Sequence, residues 1–74
     1  MAVNPSPNQI RAARALLGWR QKRLADETGL AEVTIRHIER RWNNASRKSL
    51  IAILGAFDRA GIEFIEGGVR TKGL

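Results

Sequence analysis

A chain of 74 residues that is 43% apolar and 27% charged has the composition of one small globular domain rather than of a disordered segment. It contains no cysteine and one histidine, which excludes disulfide bonds and leaves too few ligands for an ordinary zinc site. Its net charge of +6 favours a polyanionic partner, and no apolar run approaches the roughly 20 residues that a membrane span needs.

We therefore expect no metal ion, no cofactor and no membrane contact. The first residues lack the apolar segment of a signal peptide, so the predicted location is the cytoplasm. The sequence shows no nucleophile with a neighbouring base, no phosphate-binding glycine loop and no carboxylate dyad, so we do not expect an enzyme. Positive charge is concentrated in one segment, residues 36–48, which has five basic residues and one acidic residue.

The first predicted helix has a well-defined start after an arm at residues 1–5. Ser6 is suited to the N-cap, Pro7 to the first helical position, and Gln9 to the third position of a capping box. Apolar residues at helical spacing then continue to about Leu17, and Gly18 ends the helix. Trp19 follows at the junction with the next helix, where we expect it to pack against the core.

Two shorter helices come next, separated by a glycine. The second helix is predicted from Arg20 or Gln21 to about Thr28, and Gly29 supplies the left-handed conformation that often ends a helix. The third is predicted from Glu32 to about Arg41. The small side chain of Ala25 allows two helices to cross closely, and Ile35 and Ile38 fill the space between them, which is the arrangement of a helix-turn-helix.

The fourth predicted helix has the clearest amphipathic pattern. Ser46 can cap it, Leu50, Ile53, Leu54 and Phe57 form one apolar stripe, and Gly61 ends it. In the residues after Gly61, apolar and polar side chains alternate in part. Residues 62–65 favour a β-strand, residues 66–68 a turn, and residues 69–71 a short return strand. We expect a compact all-α bundle of four to five helices that carries a short C-terminal β-strand or hairpin.

From Gln9 to about Ile65 the chain resembles the XRE family, the helix-turn-helix proteins related to phage repressors and Cro. The residues that carry the resemblance are Leu17-Gly18-Trp19-Arg20-Gln21, Leu24-Ala25, Thr28-Gly29-Leu30, Thr34-Ile35, Ile38-Glu39 and Leu50. The resemblance implies that residues 1–74 form one DNA-binding domain of the repressor/Cro type. It also implies a regulator of transcription that binds double-stranded DNA as a homodimer, and we predict a repressor.

In such a module the third helix enters the major groove, and its outward residues read bases. The residues predicted to do so here are Glu32, Val33, Arg36 and His37. An acidic residue at a helix start also has a purely structural use, so both roles stay open for Glu32. The resemblance further implies that Gln21 contacts the DNA backbone and that Arg14 and Glu39 form an ion pair.

Contacts with phosphate are predicted for a larger set of basic and amide side chains. They lie at the helix starts and after the third helix, where they would set affinity and register rather than sequence choice. The set consists of Arg14, Arg20, Gln21, Arg40, Arg41, Asn43, Asn44, Arg47 and Lys48.

Three positions depart from the family pattern. Arg20 and Ala31 stand where the family usually has a serine or threonine cap, and Arg41 stands where it usually has glycine. Each lost cap is expected to cost about 1 kcal/mol of local helix stability. We interpret the two arginines as favouring tighter and less selective contact with phosphate.

The C-terminal strand is the predicted dimerisation element, through Ile62, Phe64 and Ile65, because an exposed strand edge can pair with its twin. The alternative is a local hairpin packed on the fourth helix. Trp42 covers the core, stacks on a sugar or lies at a dimer contact, and the sequence does not decide between these roles. Two other functions also stay open: an antitoxin that binds a toxin protein as well as DNA, and an interaction module that has lost DNA binding.

Overall fold

The computed structural model describes residues 5–40 and 45–72. Within these residues the chain forms four helices and a two-stranded antiparallel hairpin, which confirms the predicted fold class. The elements are α1 (Pro7–Leu17), α2 (Gln21–Thr28), α3 (Glu32–Arg40), α4 (Arg47–Arg59), β1 (Ile62–Ile65) and β2 (Gly68–Thr71). No helix among the described residues is both long enough and apolar enough to cross a membrane.

The start of α1 confirms the predicted capping box. Ser6 Oγ accepts a hydrogen bond from Gln9 N at 3.1 Å, and Gln9 Oε1 accepts one from Ser6 N at 2.9 Å. The Gln9 amide nitrogen also donates to the carbonyl oxygens of Ile65 and Gly68, at 2.8 and 3.0 Å. One side chain therefore caps a helix and fixes the closed end of the hairpin. Pro5 is fully buried, so the predicted arm does not extend to this residue.

The turn between α2 and α3 is built as expected, with Gly29 at φ 76° and its N–H bonded to the Ala25 carbonyl at 2.9 Å. Neither helix has a side-chain cap at its start. The Arg20 side chain makes no capping bond, and the carbonyl of Ala31 accepts the first helical bonds of α3, from Thr34 N and Ile35 N. Alanine has no acceptor to offer the remaining amides, so the start of α3 is incompletely bonded.

We expect Ala31→Ser to raise the free energy of unfolding by about 1 kcal/mol, because serine adds the missing N-cap acceptor. Ala31 is exposed, so the hydroxyl meets no steric obstacle. Urea unfolding followed by circular dichroism measures the change. Ala12→Ser is the matched control: this exposed residue lies inside α1, where serine is a poorer helix former and slightly destabilises. Equal effects of the two substitutions would contradict the capping argument.

The core lies where the four helices and β1 meet. Ile10, Leu24, Ile35, Ile53 and Phe57 are each fully buried there. Trp19 packs against this core, as predicted, with its ring stacked 5.8 Å from that of Phe57. Leu50 and Leu54 of the predicted stripe on α4 are only half buried, and Leu54 lines a groove between this helix and the hairpin.

The hairpin pairs Ile62 with Thr71 and Ile65 with Gly68, so residues 66–67 alone form the turn. Strand β2 begins one residue earlier than predicted. Helix α4 ends at Arg59 with Ala60 as its C-cap, and Gly61 follows directly in the left-handed conformation, at φ 87°, as predicted for the glycine that ends this helix. Gly61 also redirects the chain into β1. Within the chain the hairpin contacts both α1 and α4.

Two exposed ion pairs brace the hairpin, Glu63–Arg70 at 2.8 Å across the strands and Asp58–Lys72. Hydrogen bonding and charge attraction from Arg70 lower the pKa of Glu63. Lys72 lowers the pKa of Asp58 by the same two effects. A carboxyl whose pKa is lowered by folding stabilises the fold above its unfolded pKa and loses that contribution as pH falls through the folded value.

When the pH is lowered from 6 to 3, we therefore expect the midpoint temperature of thermal unfolding to decrease in both proteins. The decrease should be smaller in Glu63→Gln than in the unmodified chain. Glutamine cannot titrate, so the variant lacks one of the contributions that acid removes. The test compares the two melting curves at each pH by circular dichroism. The same pH dependence in both proteins would mean that the Glu63–Arg70 pair does not contribute to stability.

Candidate nucleic-acid interface

Helix α3 has one inward and one outward face. Ile35, Ile38 and Glu39 are buried. The side chains predicted to read bases are all exposed on the opposite face: Glu32, Val33, Arg36 and His37. Arg40 extends this face by one turn and is also exposed. The structure therefore brings the predicted reading residues together on one continuous surface.

Val33 is the unusual member of this surface, since 48% of its apolar side chain is exposed among charged neighbours. The Arg36 guanidinium lies 3.9 Å from the Glu32 carboxylate, and both side chains are about half exposed. An exposed pair one helical turn apart contributes only a few tenths of a kcal/mol. The pairing is weak enough for Arg36 to exchange Glu32 for another acceptor.

A buried polar network lies behind this surface. The Glu39 carboxylate is 2% exposed and accepts two bonds from Arg14, at 2.6 and 2.8 Å. It accepts a third from the amide nitrogen of Gln21 at 3.1 Å. Arg14 also donates to the carbonyl of Trp19 at 3.1 Å. The ion pair that the resemblance implied is confirmed, and it connects α1, α2 and α3.

Arg11 is a second link that the sequence did not indicate. Its guanidinium donates to the Glu39 backbone carbonyl and to the Asn8 side chain. It thus holds the end of α3 against α1. No local pattern reveals such a contact, because its two residues are 28 positions apart.

The start of α4 lies beside the same surface. His37 and Arg40 line a groove with Ser46 and Ser49, which places the beginning of α4 next to the end of α3. Ser46 caps α4 by accepting from Ser49 N at 3.0 Å, as predicted. Arg47 and Lys48 extend from this first turn and are exposed.

The predicted phosphate contacts divide into three groups. Four cations are exposed: Arg20, Arg40, Arg47 and Lys48. Arg14 and Gln21 are partly buried and engaged with Glu39, so fewer of their donors face solvent. Arg41, Asn43 and Asn44 lie outside the described residues, as does Trp42.

The three predicted dimerisation residues differ in exposure. Ile62 is 2% exposed and belongs to the core, so its side chain is not available to a partner. Phe64 is half buried against Phe57, with ring centroids 5.7 Å apart. Ile65 is 40% exposed.

Comparison with known proteins places this geometry in context. The family model described as Helix-turn-helix matches residues 10–64, which include α2, α3, α4 and most of α1. The solved structure of a HipB-O1-O2 complex superposes with a TM-score of 0.66 at 25% sequence identity, over 78% of this chain and 87% of the HipB chain. No curated protein matches the sequence significantly.

Proposed function

Because this chain belongs to the XRE-type helix-turn-helix family, we propose that it is a sequence-specific repressor of transcription that binds double-stranded DNA. One observation carries the proposal: α3 presents Glu32, Val33 and Arg36 side by side and exposed. An arginine can pair with a guanine edge and a valine can contact a thymine methyl group in the major groove. The likeness to HipB, solved in the HipB-O1-O2 complex, supports the same reading.

Four exposed cations, Arg20, Arg40, Arg47 and Lys48, supply the attraction to phosphate. They lie around the reading surface, at the starts of α2 and α4 and at the end of α3. Gln21 adds a neutral donor at the start of α2, where free backbone amides favour a phosphate oxygen. In this arrangement the cations set affinity and α3 sets sequence choice.

A salt titration tests the electrostatic part. Each neutralised phosphate changes the slope of log affinity against log salt by about −0.9, so four contacts require a slope of about −3.6 or steeper per protomer. Arg47→Gln should make the slope shallower by about one. Arg59→Gln is the matched control, because Arg59 is the last residue of the same helix, about 18 Å from Arg47. A flat salt dependence would refute the proposal.

Selection of bound sequences from a random DNA pool tests specificity. Arg36→Ala should lower affinity for the selected site by about 1–3 kcal/mol and relax the base preference at one position. Repression is then read from a reporter promoter that contains the selected site. Higher reporter output in cells that make the protein would exclude a repressor.

If the protein is instead an interaction module that has lost DNA binding, the residues of the DNA interface should not matter for regulation. Replacing both Gln21 and Arg36 with alanine should abolish regulation if DNA binding is the function. Unchanged regulation by this double variant, at unchanged protein level, would favour a role in protein contacts. An antitoxin would also bind a toxin protein, and copurification with the product of a neighbouring toxin gene would identify it.

The proposed regulator acts as a homodimer through β1. Lys72 N donates to the Gly61 carbonyl at 2.7 Å, which makes these two residues a hydrogen-bonded pair. Because bonded pairs alternate along an antiparallel ladder, the backbone groups of Ile62 and Phe64 face away from β2. This outer edge of β1 borders a groove against α4, lined by Ile51 and Leu54.

Pairing of this edge with the same edge of a second copy would form a four-stranded sheet and bury Ile51, which is 59% exposed. Sedimentation should then give twice the chain mass of 8.2 kDa. Ile51→Lys should yield a monomer, whereas Leu16→Lys should not, since Leu16 is similarly exposed but lies on α1. A monomeric unmodified chain, both free and on DNA, would refute the dimer.

A further inference from the structure

The buried Glu39 carboxylate has a contact that a simple ion pair does not need. Its Oε1 atom accepts from Arg14 and, at 3.1 Å, from the side-chain nitrogen of Gln21. A carboxylate can only accept hydrogen bonds, so the nitrogen of the Gln21 amide must face it and the amide oxygen must face away. Glu39 thereby determines the orientation of the Gln21 side chain.

That orientation matters for a residue at the edge of a DNA-binding surface. The amide nitrogen has two N–H groups, and the bond to Glu39 uses one of them. A phosphate oxygen is also purely an acceptor, so only the second N–H can serve it. Without Glu39 the amide could rotate and present its oxygen, which repels phosphate.

The energetics of buried ion pairs favour a role beyond stability. Glu39 is 2% and Arg14 17% exposed, so both lose much of their hydration on folding. Apolar residues of similar volume often stabilise a fold as well as a buried ion pair or better. Stability therefore does not explain why a carboxylate stands at this position.

We infer that Glu39 is a positioning residue of the DNA interface, which orients the Gln21 amide so that one N–H is kept for a phosphate oxygen. Gln21 begins α2, and the same carboxylate is anchored through Arg14 to α1. The donor is thus placed by three helices at once. This inference rests on the proposed DNA-binding function.

A double-mutant cycle tests it. In the unmodified chain, Gln21→Ala should weaken binding of a duplex by about ten-fold, the size expected for a hydrogen bond to a charged group. In Arg14→Met/Glu39→Leu, an apolar replacement of the pair, the same change should weaken binding by less than about three-fold. Both proteins compared in the Arg14→Met/Glu39→Leu background lack Arg14. A contact between Arg14 and DNA therefore does not affect the cost of Gln21→Ala measured in that background.

Lys22→Ala is the control, since Lys22 is the next residue, is exposed and pairs only with Asp26 among the described residues. Its effect should be equal in the two backgrounds. Equal costs of Gln21→Ala in the two backgrounds would overturn the inference and leave the proposed function intact. Failure of the unmodified chain to bind any duplex would overturn the proposed function itself.

A second measurement needs no DNA. The side-chain amide of Gln21 should have a high NMR order parameter in the unmodified chain and a low one in the Arg14→Met/Glu39→Leu background. The Gln9 amide, which bonds to the hairpin, should stay ordered in both. An equally ordered Gln21 amide in both proteins would overturn the inference.

Discussion

Glu39→Leu alone is expected to lower the free energy of unfolding by about 3–5 kcal/mol, because it leaves the partly buried Arg14 guanidinium without its carboxylate. The substitution removes two bonds to Arg14 and one to Gln21. Leucine cannot accept any of these. The remaining carbonyl contact, with Trp19, does not neutralise a charge.

The matched variant is Arg14→Met/Glu39→Leu, which removes both charges and keeps apolar volume at the site. Its stability should lie close to that of the unmodified chain, since apolar replacement of a whole buried pair is often neutral or stabilising. Chemical denaturation of the three proteins measures the difference. A loss below about 1 kcal/mol in the single variant would mean that Arg14 reaches solvent easily and that the network is loosely held.

Phe57→Ala is the second substitution with a large expected effect, a loss of about 3–5 kcal/mol. Phe57 is fully buried, stacks on Trp19 and meets Phe64 edge to face. It therefore joins α4 to the segment before α2 and to β1. A single core in a chain of this length rarely supplies more than about 3–5 kcal/mol of stability, so the substitution would leave much of the population unfolded.

Leu16→Ala is the control for Phe57→Ala, because Leu16 lies on α1, is 52% exposed and is outside the proposed dimer contact. Its loss should stay below about 1 kcal/mol. Circular dichroism follows unfolding of both variants. Similar losses at the two positions would show that the Phe57 ring is not central to the core.

The features of the fold that could be predicted from the sequence depend on residues that are close together in the chain. The capping box of Ser6 and Gln9 and the serine cap of α4 act over three residues, so their effects are readable from neighbours in the chain. Gly29 acts through its own backbone conformation. For this reason the predicted bounds of α1 and α2 agree with the structure.

The predictions from the sequence needed correction where the packing of distant elements determines the burial of a residue. Pro5 was assigned to the N-terminal arm, but the fold buries it completely. The Ile62 side chain belongs to the core, so only the backbone of this residue is left for the predicted dimer contact. The period of a short strand shows which residues share a face, not which face the core will cover.

The sequence by itself determined the helices, the turn at Gly29, the outward residues of α3 and the family, because these depend on side chains a few positions apart. Only the tertiary structure decided that Gln9 holds the hairpin, that Arg11 holds the end of α3 and that Glu39 orients Gln21. These bonds join residues 18 to 59 positions apart. Each needs a donor and an acceptor brought within about 3 Å by packing of whole helices, and no local pattern encodes that distance.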